Sequence, residues 1–580
     1  MIKVKNYLLV IISFISIVTI LYLFRWVFFV QSDISYLDNL YSFSQWSIPL
    51  SSRIMGDAYL YQHSGINLLK DFEPFSINPE TPIFGKILLA LSIKFFGNPH
   101  IFSIISLIIL LITLNALAKR YFNFNNWNRK LLLLLVGTSP IIISQIPDTI
   151  MDLPHVALFL IHLYFLFHAV KSKKRYQIIL DIFISGLSLG AMSATKIAVY
   201  LPIIYVIDLW YLWKNKKILY IIEIILISIA IYILIYYPYI LKHGIIDWLK
   251  AQKWVLNFYL NSEVNAFKGM ILITAFSGWY KGWWGEGWTR VPLWTGSWGI
   301  GIIATCIQLK NLLIKKNKIS NEIKYLLFVS ISLLGLLFFL PFWYRYFVFS
   351  VPMFWIILLN WNKNNIISLL LVLFPLINIL VISSNSLKFG SDNFYSLWEK
   401  GSYQDMYEYF SNNLKVKISR NNYAEIQDRR LIENQVFSIN VIDYNIFEKS
   451  FGSISESVTV IETSFDQVSK SNYVVIWKLN NSRWEIDSIK ESSQNIENKI
   501  VSEDGYVCIN PTKVSDWSDV YNQASKLLEI SVAEASILTM KLVPKDYCIP
   551  LGTYDHKLQA KDLQLDPGVK LIDITNINAL

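Results

Sequence analysis

Charge is scarce in this sequence. Only 16% of its 580 residues are Asp, Glu, Lys or Arg, against about a quarter in an ordinary soluble domain. With 54% hydrophobic residues and a mean hydropathy of +0.41, the chain is too apolar over most of its length to be soluble and globular. Cysteine is scarcer: the three, Cys306, Cys508 and Cys548, have no zinc-type spacing. There is no P-loop and no Gly-rich strand-to-helix fingerprint, so nothing supports a nucleotide fold. No internal repeat is found. His63 and His155 stand alone and read as ordinary polar residues, not ligands.

What the chain has is long apolar runs. Runs of about 18 or more residues read as transmembrane helices. They are expected at 8–30, 101–118, 131–147, 153–170, 177–194, 197–213, 218–240, 292–309, 325–342, 346–361 and 364–383, about eleven in all. The first, behind Lys3 and Lys5, is too long for a signal-peptide core and reads as a retained anchor. The apolar piece Ile83 to Phe96 is short and carries Lys86 and Lys94. It reads as an interfacial helix.

The net charge of +10 is a topology signal here, and nucleic acid is not an expected partner. Basic clusters lie at Lys119/Arg120/Arg129/Lys130, Lys171/Lys173/Lys174/Arg175, Lys214/Lys216/Lys217 and Lys310/Lys315/Lys316/Lys318. Eleven spans from a cytoplasmic N-terminus put all four in the cytoplasm, as the positive-inside rule asks. Asp57, the Asp148–Asp152 turn, Lys196, the loop 241–291, Arg345 and everything after about residue 384 then fall outside. Residues 1–384 are expected to form a transmembrane module, with outer loops at 31–100 and 241–291. Residues 385–580 are polar and Asn/Ser-rich. Alternating runs at Val436 to Val441, Val458 to Ile461 and Tyr473 to Leu479 read as strands, and Tyr403 to Asn413 and Ser515 to Leu528 as helices. A small mixed α/β domain outside the membrane is expected.

Residues 50 to 360 resemble the membrane-embedded C-type glycosyltransferases, the superfamily of the protein O-mannosyltransferases and the lipid A aminoarabinose transferases. Four motifs carry the resemblance. The first is Asp57 with Tyr59 and Tyr61, Gly65, then Pro82, Gly85-Lys86 and Phe96-Gly97. The second is Ser139-Pro140 and Met151-Asp152-Leu153-Pro154. The third, Gly186-Leu187-Ser188-Leu189-Gly190 through Thr195-Lys196, is similar to the family's GLxLGxxxxTK turn. The fourth is Tyr344-Arg345-Tyr346 with Val351-Pro352. The sequence departs from the family in having Ala58 after Asp57, Glu80-Thr81-Pro82-Ile83 for His-Pro-Pro-Leu, and a long segment before Asp57.

The resemblance implies a polytopic fold that takes a sugar from a polyprenyl-phosphate donor, with a lipid, glycan or protein acceptor. Its leaving group is a phosphate already on lipid, which fits the missing nucleotide motifs. It implies Asp57 as catalytic base. Lys196 and Arg345 suit a departing phosphate by charge and depth; alternatively they snorkel to the interface. Asp148 and Asp152, four apart, would share a helix face if their turn is helical. One of them orients the acceptor or holds Lys196; the plainer reading makes Asp152 a helix cap. Tyr59, Tyr61 and Lys86 are further substrate-binding candidates. So are Trp283, Trp284, Glu286 and Trp288, in a loop that reads either as an aromatic belt or as a lid stacking on sugar. No cofactor is expected, and a divalent metal has no support because the outer loops lack Asp-x-Asp. A flippase of lipid-linked glycans and an inactive relative are the rival readings.

Cys508 and Cys548 fall in one domain outside the membrane. They are candidate disulfide partners, closing a loop worth roughly 3–4 kcal/mol in chain entropy; the alternative is two free thiols.

Overall fold

The computed structural model describes residues 2–32, 34–42, 46, 55–196, 199–261, 267–281, 288–291, 293–314, 319–340, 342–361, 370–399, 401–433, 438–450, 453–463, 467–480, 483–498, 506–508, 548–550 and 571–572. The chain forms two compact units. One comprises Met1–Ile34 and Asp57–Asn385, the other Ser35–Gly56 and Ser386–Leu580.

The first unit is mainly helical and built for a membrane. Among the described residues five helices are long and apolar enough to cross one: His100–Arg120, Asp152–Lys171, Arg175–Ser193, Ser297–Ile314 and Asn321–Phe339. Two helix pairs qualify as spans only when each is taken together, Asn126–Gly137 with Pro140–Asp148, bent by 57°, and Tyr220–Ile235 with Tyr237–His243, bent by 60°. That gives up to seven where eleven are expected. The other four regions hold shorter helices. Tyr7–Leu23 runs into a 3-10 turn, Arg25–Phe28. Leu201–Lys214 has 14 residues and Phe347–Trp361 has 15. Phe374–Ser383 is a short apolar stretch, and residues 362–369 lie outside the described residues. Hydropathy counts apolar residues whether or not the helix has begun, and proline and 3-10 turns shorten the helices here. Phe84–Phe96 is a helix of 13 residues. At 1.5 Å per residue it covers about 20 Å, less than the roughly 30 Å hydrocarbon layer. A small antiparallel hairpin, β1 (Trp279–Lys281) with β2 (Trp288–Arg290), also belongs to this unit.

Both bends have a sequence cause. Each second helix begins at or next to proline, Pro140 and Pro238, which cannot donate to the preceding turn. At the first bend Thr138 turns back on Leu134 O and accepts from Asn378 Nδ2 at 3.1 Å.

Glycines set how closely the helices approach. A Cβ on Gly190 would sit 2.6 Å from Ser228 O, and one on Gly186 2.9 Å from Ile227 Cβ. Ser228 Oγ donates to Gly186 O at 3.0 Å. The Gly-x-x-x-Gly pair is thus a packing stripe that admits the backbone of Tyr220–Ile235. Gly65 does the same between Asp57–Lys70 and Phe84–Phe96, where a Cβ would strike Lys86 O.

The second unit is mixed α/β. Strands β3 (Ser438–Ser450), β4 (Ser453–Thr463), β5 (Gln467–Asn480) and β6 (Arg483–Asn498) make an antiparallel meander. Short helices Tyr403–Met406, Asn412–Lys417 and Arg420–Glu433 belong to it. Phe394, Tyr395, Trp398, Val458, Val475 and Trp477 lie in one buried cluster. Buried Glu456 accepts from Tyr395 Oη and Trp477 Nε1, both at 2.7 Å. Glu462 takes a two-pronged pair from Arg430 at 2.7 and 2.5 Å. A second, three-stranded sheet has β7 (Tyr506–Cys508) between β8 (Cys548–Pro550) and β9 (Leu571–Ile572). The helix expected at Ser515 to Leu528 lies outside the described residues.

Candidate active site

Four charged residues far apart in sequence meet where helices of the first unit begin or end. Asp57 and Asp152 are each the first residue of a helix, Asp57–Lys70 and Asp152–Lys171. Lys196 lies in the turn after Arg175–Ser193. Arg345 sits in the 3-10 turn Tyr344–Tyr346 that leads into Phe347–Trp361. Helix N-termini favour negative charge, and both acids stand at one.

Arg345 Nη2 donates to Asp57 Oδ2 at 3.1 Å, and its Nε lies 3.9 Å from Asp152 Oδ2. Lys196 Nζ donates to Asp152 Oδ1 and lies 5.1 Å from the Tyr346 ring centroid, over its face. Charge thus alternates Asp57, Arg345, Asp152, Lys196. Burial disfavours the charged form of Arg345, but Asp152 and then Asp57 outweigh it and hold the guanidinium charged. Burial pushes the Lys196 ammonium down, with Asp152 opposing. Asp57 is the most open member, its side chain 45% exposed against 9% for Asp152. Arg345 Nε is buried and makes no hydrogen bond among the described residues.

The plainer reading of Asp152 as a cap is not what its carboxylate does. The N-cap is Met151, with no side-chain cap bond. Nor do Asp148 and Asp152 share a helix face. Asp148 ends a helix, and Thr149 follows with φ 46, breaking the turn. A β-branched residue in the left-handed region is strained. Buried Thr149 accepts from Gln62 Nε2 at 3.4 Å, so Asp57–Lys70 helps to hold that turn.

Lys86 is packed beside this cluster. Phe84 N donates to Ala194 O at 2.7 Å, and a Cβ on Gly85 would strike Met151 Sδ and Thr195 Cγ2. Lys86 is fully buried and its Nζ donates to Asn78 O at 2.7 Å. Burial pushes its pKa down to about 7, with Glu80 pulling the other way. Burial raises Glu80 in turn, Lys86 opposing and Asp57 adding to the rise. Tyr61 is buried too; burial, then Asp57, raises its phenol well above the usual value. Tyr59, two residues earlier, is half-buried.

Segments on either side of the spans of the first unit are tied to one another. Leu68, Ile83, Tyr236 and Trp248 form one cluster. Glu73 accepts from Lys242 and faces His243 Nε2 at 2.9 and 3.1 Å. The region 241–291 is not a plain loop: it contains the helix Ile245–Asn261 and the β1–β2 hairpin. Trp283, Trp284 and Glu286 lie outside the described residues. Trp288 is exposed and meets Phe267 edge-on at 5.7 Å. Tyr280, which the sequence did not single out, packs on Trp343 and Tyr344 at 5.6 and 5.4 Å and joins the hairpin to the Arg345 turn. Tyr346 and Glu80 were read only as parts of motifs. No one-dimensional signal distinguishes the tyrosine that will sit under a lysine. Among the described residues no group of three or more His, Cys, Asp or Glu side chains is arranged to hold a metal ion.

No family model matches the sequence, and no curated protein sequence does. The solved structures similar to it include these two. One is ArnT from Cupriavidus metallidurans in the apo state, with TM-score 0.38 and 11% identity over 64% of this chain. The other is ArnT from Cupriavidus metallidurans bound to undecaprenyl phosphate, with TM-score 0.37 and 9% identity over 69% of this chain. The chain spans 62% of the length of the first and 69% of the second.

Proposed function

We propose that this protein is a C-type membrane glycosyltransferase, moving a sugar from a polyprenyl-phosphate donor to an acceptor hydroxyl at the outer face of the membrane. The observation that carries the reading is the convergence of Asp57, Arg345, Asp152 and Lys196. A carboxylate open enough to meet an acceptor stands beside cations able to meet a phosphate. Charges buried against one another among membrane helices are costly and usually functional.

In this reading Asp57 takes the proton of the attacking hydroxyl. Arg345, with its spare Nε donor, and Lys196 stabilise the phosphate as the glycosidic bond breaks. Asp152 positions both cations. Lys86 adds charge on the donor side. Tyr280 ties the hairpin to the turn that carries Arg345. The N-terminus lies in the cytoplasm, and residues 385–580 lie outside as a separate domain. The acceptor is a lipid, glycan or protein carrying a free hydroxyl.

The test is incubation of the purified protein with labelled polyprenyl-phosphate sugars and membrane acceptors, wild type against Asp57→Asn. Transfer by the wild type and its loss in the variant is the expected result. The two bent spans favour a second reading, a flippase of lipid-linked glycans, since discontinuous helices are common in secondary transporters. Movement of labelled lipid-linked glycan across sealed vesicles, without bond cleavage, would select that reading.

A further inference from the structure

Two of the three cysteines are register partners on paired strands of the second unit. Strands β7 and β8 pair antiparallel, with Tyr506 opposite Pro550, Val507 opposite Ile549 and Cys508 opposite Cys548. Directly opposed residues of an antiparallel pair have Cα atoms about 4.5–5.5 Å apart and share one face of the sheet. That spacing lies inside the window of about 4.4–6.8 Å in which a disulfide closes without moving the backbone. The position in the sheet is also telling. Cys508 is the last residue of β7 and Cys548 the first of β8, so the pair stands at the mouth of the 509–547 connection. β9 occupies the other edge of β7. The third cysteine, Cys306, is exposed and free, on the apolar helix Ser297–Ile314 of the other unit.

We propose that Cys508 and Cys548 are joined by a disulfide that closes the segment 509–547 and locks β8 to β7. The bond forms by exchange with a disulfide oxidant of the exported compartment. Two thiols each lose a proton, one S–S bond forms, and the two electrons reduce the oxidant's disulfide to two thiols. Such a bond persists only where the compartment is oxidising. It therefore goes beyond sugar transfer and bears on which side of the membrane the second unit occupies.

The test takes the full-length protein from native membranes straight into denaturing detergent containing N-ethylmaleimide, which reaches Cys306 on its apolar helix as well, and digests it without reductant. The expected result is one maleimide per chain, on Cys306, and a linked peptide pair containing Cys508 and Cys548. Reduction before labelling should raise the count from one to three. Three maleimides without reduction, or a link that appears only after an added oxidant, overturns the proposal. A Cys306→Ser chain, which keeps both partners, should retain the linked pair and show no maleimide; loss of the pair there also overturns it. In Cys508→Ser, Cys548 should become stoichiometrically alkylated, and its recovery in a bond to Cys306 or to a second chain counts against the pairing. Labelling is read independently of sugar transfer, so an inactive preparation still distinguishes bridged from free thiols.

Discussion

Arg345 bonds Asp57 and lies close to Asp152, which makes it the hinge of the charged cluster. Its guanidinium can reach both because it is a planar fork, and lysine cannot reproduce that. Arg345→Lys should therefore lose activity although the charge is kept. A rise in KM for the donor would place the loss in donor binding, and a fall in kcat alone in the bond-breaking step. Asp57→Asn should leave donor binding largely intact and cut turnover by roughly 10²–10⁴-fold, the usual worth of a general base; near-normal turnover would remove Asp57 from that role. Lys86 gives a pH signature. Its pKa of about 7 in the folded protein lies below the roughly 10.4 of an exposed lysine. Between those values the unfolded chain binds a proton that the folded one does not, so this group's contribution to stability rises with pH across that window and is lost as pH falls through about 7. Thermal unfolding of wild type minus Lys86→Met should rise from pH 7 to 9. Donor affinity should move the opposite way, weakening above about pH 7 as the charge is lost.

The helices show what a sequence can and cannot disclose. His100–Arg120 and Asp152–Lys171 are legible because hydropathy is a local sum, and no Asp, Glu, Lys or Arg interrupts them between their first residue and their last turn. The breaks at Thr138–Pro140 and Tyr236–Pro238 are not, since proline in an apolar run is compatible with a kinked helix or two separate ones. At the site, Asp57, Asp152, Lys196 and Arg345 stand out as charges at the ends of apolar runs. Their pairing, and the left-handed Thr149 between Asp148 and Asp152, depend on contacts across dozens to hundreds of residues. The glycine stripe is intermediate: Gly186 and Gly190 are visible as a pattern, but the backbone of Tyr220–Ile235 against them is not. Gly190→Leu should push that helix away and cost about 1–3 kcal/mol or more. Its effect should appear first as a lower unfolding temperature, and as slower turnover only through displacement of Lys196 six residues on.

At the scale of the whole molecule, orientation decides the reading. Reporters fused after residue 384 should be active only outside the cytoplasm, given four basic clusters on the opposite side. A cytoplasmic signal would place the charged cluster on the inner face and end the case for an outer-face transferase. The second unit adds a condition of another kind. It takes in Ser35–Gly56 as well as the chain from Ser386 onward, so its parts leave the ribosome more than three hundred residues apart. At roughly 5–20 residues per second, the early segment waits tens of seconds for the sheet it belongs with. Throughout that interval the segment Ser35–Gly56 lacks the rest of its unit. A product truncated near residue 385 would contain every member of the charged cluster and still carry Ser35–Gly56 without the remainder of its unit, an address for quality-control proteases rather than a minimal enzyme.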